Sequence, residues 1–346
     1  MKISAKSILN HYFDTVEILK IEQLNTGLIN QTFDIDTNLG RFILQKINKG
    51  VFKNWTSLMQ NKISVTEFLR KSGFPVASII KTIKGDYQVE EQDEIWHLSE
   101  YIVSCTKERM NAKTASESGK LIASFHKALL NFPMSEIRET IPDFHNVIKR
   151  YDDLKACIQR TEKEKLFETK QEIDFLERYS DFISPLARLI NNGEIPIRIV
   201  HNDTKLTNIL FDSLDNAICL IDFDTIMCGT IFNDVGDAMR SGSNDGDENE
   251  QDLNLVHFNR EIYETFIESY LQEANSFLTE IEKENIHFAL PLILFEQACR
   301  FLADYYNGDV YYPVDHSKHN LIRARTQIKL LEEVIRYRIE KFRNNF

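Results

Sequence analysis

Apolar and polar positions alternate through the first hundred residues of the chain. The stretches VEILKIEQL (16–24), INQTFDIDT (29–37), RFILQKIN (41–48), VASIIKTIKG (76–85) and EIWHLSEYIV (94–103) repeat with period two between LG and KGD turn signals. That pattern predicts an antiparallel sheet. One segment breaks it: FKNWTSLMQNKISVTEFLRKSG (52–73) carries apolar residues at helical spacing and ends at Gly73 with Pro75 beyond, as a helix C-terminus does. After Ser104 the period changes to that of long helices, in ESGKLIASFHKALL (117–130), KQEIDFLERYSDFISPLARLINNG (170–193), NREIYETFIESYLQEA (259–274) and the C-terminal stretch from His319. The expected architecture is α+β: a small β-rich lobe over 1–103, then a large, mostly helical lobe over 104–346. No Pro/Gly/Ser linker separates them near residue 103, which implies a short hinge and a cleft between the lobes.

Composition changes this picture little. With 346 residues, 42% hydrophobic and 27% charged, the chain has the make-up of an ordinary globular protein with one large or two joined domains. No apolar run approaches the roughly 20 residues of a membrane span, and the first residues lack an apolar signal segment; the expectation is a cytoplasmic protein with no membrane partner. Five scattered cysteines without a CxxC pair fit reduced thiols better than a disulfide framework or zinc site. A net charge of -12 disfavours nucleic acid as a partner, because phosphate backbones are held by clustered Lys and Arg. The acidic stretch SNDGDENEQD (243–252) lacks the glycine at the sixth position and the glutamate at the twelfth of an EF-hand loop, so it reads as a solvated loop.

The candidate chemistry lies in IVHNDTKLTNILFD (199–212), followed by the strand-like AICLIDFDT (217–225). Phosphoryl transfer asks little covalent work of a protein; it needs an oriented hydroxyl, a nucleotide held by its phosphates and a bridging divalent metal. Asp203 is the candidate catalytic residue, accepting a hydrogen bond from the attacking hydroxyl. Asn208 and Asp222 supply oxygen ligands suited to Mg2+, with Asp224 as a further metal or substrate ligand. His201 reads as a residue bracing the loop. The alternative at these positions is a turn and a strand end without chemistry.

HNDTKLTNILFD together with LIDFDTIMCGTIFNDVGDAMR resembles the aminoglycoside phosphotransferase and choline kinase superfamily, relatives of the protein kinases. The likeness is greatest to the N-acetylhexosamine 1-kinases, and it runs from LNTGLINQTF to LIRARTQIKLL, with RFLADYYNGDVYY among its specific matches. The resemblance implies a protein-kinase-like two-lobe fold that binds ATP with Mg2+ in the cleft. By position, Lys46 resembles the strand lysine that holds the α and β phosphates, and Glu67 its helix partner. The segment around Thr26 and Gly27 stands where the phosphate-covering loop would be, although it is not a GxGxxG. Glu100, Tyr101 and Ile102 resemble the hinge whose backbone pairs with adenine, and Asp234 and Asp237 the acids that brace the catalytic loop. Leu28 stands where these relatives tend to show a histidine, a departure that touches the sugar contacts.

Arg300 and Tyr311 resemble sugar-contacting positions, and a planar guanidinium with a phenol suits hydroxyl and acetamide groups. Alternatives at the two positions are an ion pair of Arg300 with Asp304 and plain packing of Tyr311. The resemblance implies a small-molecule sugar partner and an ATP-dependent kinase acting on the anomeric hydroxyl of an N-acetylhexosamine. Kinases of aminoglycosides, choline or another amino alcohol, and a catalytically silent nucleotide-binding protein, are the alternatives.

Overall fold

A computed structural model describes residues 2–24 and 29–341. Thr26, Gly27 and Leu28, singled out above, lie outside the described residues. The chain opens with α1 (Lys2–Leu9), then β1 (Ile18–Leu24), β2 (Gln31–Thr37), β3 (Gly40–Lys46), α2 (Trp55–Lys71), β4 (Val89–Glu91) and β5 (Glu94–Glu100). The strands form one antiparallel sheet in the order β1-β2-β3-β5-β4. Asn54 caps α2 by accepting the Ser57 N–H, and Gly73, at φ +79°, ends the run with a conformation that side chains disfavour.

Four of the five expected strands form, and VASIIKTIKG does not. β4 pairs only with residues 94–96 of β5, and the rest of that edge is taken by the 78–80 backbone, where Ile80 N donates to Leu98 O and Glu100 N donates to Ser78 O. So little free edge reduces the segment to single bridges, Ile79 with Ser99 and Val76 with Leu220.

Alternation along the strands gives the sheet two covered faces. Leu44, Phe33, Ile35, Trp96 and Leu98 pack with Ile8 and Leu9 of α1. Ile47 and Ile95 pack with Phe52, Leu58 and Met59 at the α2 side.

The helical part contains α3 (Ala112–Ala128), α4 (Val147–Ile158), α5 (Lys163–Glu168), α6 (Lys170–Asn191), α7 (Ile231–Gly242), α8 (Arg260–Ala274), α9 (Glu280–Asn285), α10 (Ala289–Tyr306) and α11 (His319–Lys341). Between α6 and α7 run four short strands: β6 (Arg198–Val200), β7 (Ile209–Phe211), β8 (Ala217–Leu220) and β9 (Met227–Gly229). β6 pairs with β9 and β7 with β8. α10 runs through the core against α4, α7 and α11. The stretch Glu280–Tyr306, of mean hydropathy 1.3, is long and apolar enough to cross a membrane by length and composition alone, yet 83% of its apolar window is buried inside the fold; its hydrophobicity serves the core. α7 reaches α10 closely at Gly236, where a Cβ would stand 2.4 Å from the Ala289 carbonyl oxygen.

Candidate active site

The two short hairpins explain how one loop gathers separated residues. β6 delivers the chain to His201, β7 and β8 return it, and β9 closes against β6, so residues 201–208 and 221–226 lie side by side; Ile221 N donates to Asn208 O at 3.0 Å. Asp234 of α7 holds the first turn: its carboxylate accepts His201 N at 2.9 Å, Asn202 N at 2.7 Å and His126 Nε2 at 2.8 Å. Burial alone would raise this carboxyl, but the His126 hydrogen bond overrides it and keeps the group below the ordinary carboxylate range. The His201 ring is fully buried, with Nε2 bonded to Ile221 O and its face edge-on to Phe223, a wedge between the two hairpins. Asn202 takes a left-handed φ of 64°, and Asn233 Nδ2 donates to its side-chain oxygen.

Asp203 follows that turn with its carboxylate half-engaged. Lys205 Nζ donates to Oδ2 at 2.7 Å and Asn208 Nδ2 to the same oxygen at 2.9 Å; among the described residues no donor reaches Oδ1. Burial opposes ionisation here, and the Lys205 ammonium offsets it, so the carboxyl lies below its usual range.

Because Asn208 Nδ2 is committed to Asp203, its Oδ1 is free to act as a ligand. Asp222, at φ 68°, turns its carboxylate inward, and Oδ1 is buried without a hydrogen-bond partner among the described residues. Burial, then the carboxylates of Asp224 and Asp203, push the Asp222 carboxyl up to about 7. An orphaned buried oxygen in a crowd of carboxylates is what a divalent cation relieves. This donor set fits Mg2+.

On the sheet side the structure corrects two expectations. Lys46 belongs to the α1 face with Leu44, where its ammonium pairs with Glu94 at 2.8 Å and lies 5.7 Å from the Trp96 ring centroid. Strand alternation sends Gln45, not Lys46, toward α2. Glu67 is no partner for it either, since its carboxylate accepts a hydrogen bond from the Tyr87 hydroxyl on the far flank of α2. The buried lysine of the cleft is Lys62 of α2, whose Nζ meets Asp224 Oδ1 at 2.5 Å, Gln45 Oε1 at 3.0 Å and His97 Nε2 at 3.2 Å.

The other Asp224 oxygen accepts from Asn30 Nδ2. With both oxygens engaged by the sheet lobe, Asp224 ties the lobes together beside Asp222. At the hinge, Glu100 N and the Glu100 carboxylate are bonded to the Ser78 backbone, and Tyr101 stacks under Arg41 at 3.8 Å.

The far wall is built on α10. Arg300 and Tyr311 do come together, the guanidinium carbon 5.6 Å from the Tyr311 ring centroid, with Tyr312 at 5.6 Å and Phe144 at 5.0 Å. Arg300 pairs with Glu296, one turn back, at 3.5 Å, rather than with Asp304. Asp304 instead receives the backbone N–H groups of Val310, Tyr311 and Tyr312 at 3.1, 2.9 and 2.9 Å and so fixes the turn that presents Tyr311. Asp237 Oδ1 accepts from Arg240 Nε at 2.9 Å, and Arg240 reaches on to Glu248. Asn249 beside it accepts from Arg323 Nε and meets His319 Nε2, both at 2.8 Å. The acidic stretch 243–252 is therefore docked on α7 and α11 rather than simply solvated.

The model of the phosphotransferase enzyme family matches residues 20–271. The chain belongs to the phosphotransferase enzyme family. A homoserine kinase of Zymomonas mobilis is 24% identical over 219 residues, spanning 63% of this chain and 63% of that protein's length. Among solved structures, a microcompartment-associated aminopropanol kinase superposes with TM-score 0.69 at 17% identity, covering 97% of this chain and 98% of its own. A spectinomycin phosphotransferase in complex with ADP and spectinomycin gives 0.61 at 13%, covering 95% and 96%. These likenesses establish the kinase-like two-lobe fold.

In this phosphotransferase, sequence reasoning missed Lys62, Lys205, Arg240, His145 and Glu296. Lys205 was within reach, two positions after Asp203 and on the same loop. Lys62 carries no local signal, because its partner Asp224 comes from a distant segment; Arg240 stood three positions after Asp237, at the spacing of a helix pair.

Proposed function

We propose that the phosphotransferase moves the γ-phosphoryl group of Mg-ATP onto a hydroxyl of a neutral small molecule, and that this acceptor is the anomeric hydroxyl of an N-acetylhexosamine. The observation that supports the reading most is the half-engaged Asp203. Its Oδ2 is anchored by Lys205 and Asn208, while Oδ1 remains for the acceptor hydroxyl. In this reading the acceptor oxygen forms its bond to the γ-phosphorus as the bond to the bridging oxygen of ADP breaks, and its proton leaves by way of Asp203. Lys205, between Asp203 and Asp222 in charge, meets the phosphoryl oxygens. Mg2+, held by Asn208 Oδ1 and Asp222, would neutralise charge on the phosphates. Lys62 orders the sheet side, and the Glu100 carbonyl and Ile102 N–H take adenine.

The neutrality of the acceptor rests on pairing. Asp203 is matched by Lys205, Asp237 and Glu248 by Arg240, and Glu296 by Arg300. An ammonium group entering here would find Asp203 and Glu296 already paired and Asp237 and Glu248 sharing one guanidinium, whereas Arg300 with Tyr311 suits hydroxyl and amide oxygens. Kinases of amino alcohols and of homoserine form the second reading, favoured by the homoserine kinase and aminopropanol kinase likenesses. A panel of N-acetylglucosamine, N-acetylgalactosamine, homoserine, aminopropanol and choline with Mg-ATP, read by phosphorus NMR, separates them. A sugar 1-phosphate is expected; phosphate on an amino alcohol or a 6-hydroxyl would overturn the anomeric reading. Asp203→Asn should lower turnover at least about a hundredfold with Mg-ATP binding retained.

A further inference from the structure

The turn that carries Asp203 is gripped from two sides. Asp234 takes the Asn202 N–H at 2.7 Å, and on the other side the Asn202 carbonyl is met by Nε2 of His145 at 3.0 Å. That carbonyl shares a rigid peptide plane with the Asp203 nitrogen, so fixing the one fixes the entry to the other. The second ring nitrogen of His145, Nδ1, lies 3.1 and 3.2 Å from the two oxygens of Glu296. The His145 side chain is 3% exposed and that of Glu296 fully buried. A carbonyl and a carboxylate only accept hydrogen bonds, so both ring nitrogens must donate and the ring must carry two protons.

Four groups face the ring. Glu296 and Arg300 come from α10, the Asn202 carbonyl from the catalytic turn, and Asp237 of α7 lies within electrostatic reach. Burial works against the imidazolium, as does Arg300, but the Glu296 carboxylate outweighs them and leaves the His145 pKa above its ordinary value. Glu296 also holds Arg300 at 3.5 Å. One carboxylate therefore touches both the wall that would seat the acceptor and the ring that holds the catalytic turn.

We propose that His145 is a positioning residue which, as an imidazolium, aims the Asn202–Asp203 peptide and ties it through Glu296 to Arg300. Seating of the acceptor and placement of Asp203 then become one rigid unit. The proposal rests on the reading of Asp203 as catalytic and of Arg300 as acceptor-binding.

Two measurements test it. In the 15N-labelled full chain at pH 7.5, the His145 ring, assigned by its loss in His145→Gln, should show both nitrogens in the protonated range; a nitrogen with the shift of an unprotonated imidazole would overturn the proposal. In kinetics, His145→Gln should lower kcat between about tenfold and a hundredfold, the penalty of an ångström-scale misplacement, and raise the acceptor KM. The ATP KM should stay within about twofold, which a general loss of folding would not give. An unchanged kcat would overturn it. Asp203→Asn, run alongside, separates the failures: an inactive Asp203→Asn with a fully active His145→Gln defeats only the role of His145, while a fully active Asp203→Asn defeats the catalytic reading and the proposal with it. Should His145→Gln not fold, the ring is assigned by its couplings in the unsubstituted chain, and its protonation state decides.

Discussion

His97 shows how one buried ring can set a pH limit. It is 2% exposed, Nε2 lies 3.2 Å from the Lys62 ammonium, and Nδ1 has no partner among the described residues. Lys62 can only donate, so Nε2 accepts and the ring is neutral. Burial, then the Lys62 charge, lowers its pKa to about 3. The unfolded chain, with a histidine near 6.5, takes up this proton while the folded chain does not. Stability therefore falls as pH drops from about 6.5 toward 3, by about 1.4 kcal/mol per pH unit from this ring alone. Urea midpoints at pH 7.5 and pH 5 should differ accordingly. His97→Gln, which still offers Lys62 an acceptor, should flatten that slope, and an unchanged slope would clear His97 of responsibility. At this scale, legibility followed distance along the chain. Asp203, Asn208 and Asp222 share one loop-and-hairpin passage and could be read together. Lys62 meets Asp224 across 162 positions, and no local pattern reports such a meeting. Lys46 misled because a strand register places it one residue from the face it would need.

Among the elements, α7 and α10 are the pair on which the site depends, one bearing Asp234 and Asp237 and the other Glu296 and Arg300. They approach at Gly236, where an added methyl would stand 2.4 Å from the Ala289 oxygen and 2.6 Å from Ile293 Cγ1. The first contact is backbone and cannot rotate away. Gly236→Ala should therefore force the helices apart and destabilise the protein by about 1–3 kcal/mol, visible as a lower melting temperature. Wild-type melting would mean that the helices separate freely. The helices themselves were legible from their period and stop signals, Gly73 among them. The strand expected over 76–85 was not, since its periodicity is real but the edge it would pair with is shared with β4.

For the whole molecule, the sheet and helical lobes are joined across the cleft by Lys62, Asn30 and Asp224, and by Asn61, whose side chain donates to Arg138 O and Ile226 O. Lys62→Met would leave the Asp224 carboxylate buried with its charge unmatched. A loss of about 3–5 kcal/mol is expected, together with a rise in the ATP KM larger than any change in the acceptor KM. Thermal melts and nucleotide titration check the two halves of that statement, and a variant as stable as the parent would show that the lobes are held by other contacts. The two-lobe order was visible in the change of period near residue 104, but the means of joining was not, because it is made of single polar side chains set in apolar runs.

Asp304 gathers three successive backbone N–H groups and Asn320 Nδ2 on one carboxylate, and thereby separates two kinds of change that the molecule can undergo. Residues beyond Tyr312, as far as the start of α11, can vary in length and chemistry while the turn above them keeps its shape. The loop bearing Asp203 lies on other elements and is untouched by such variation. A graft into that short surface segment would therefore leave Tyr311 and the Asp203 loop where they stand, which makes it the place to attach a tag or a tether without touching the cleft.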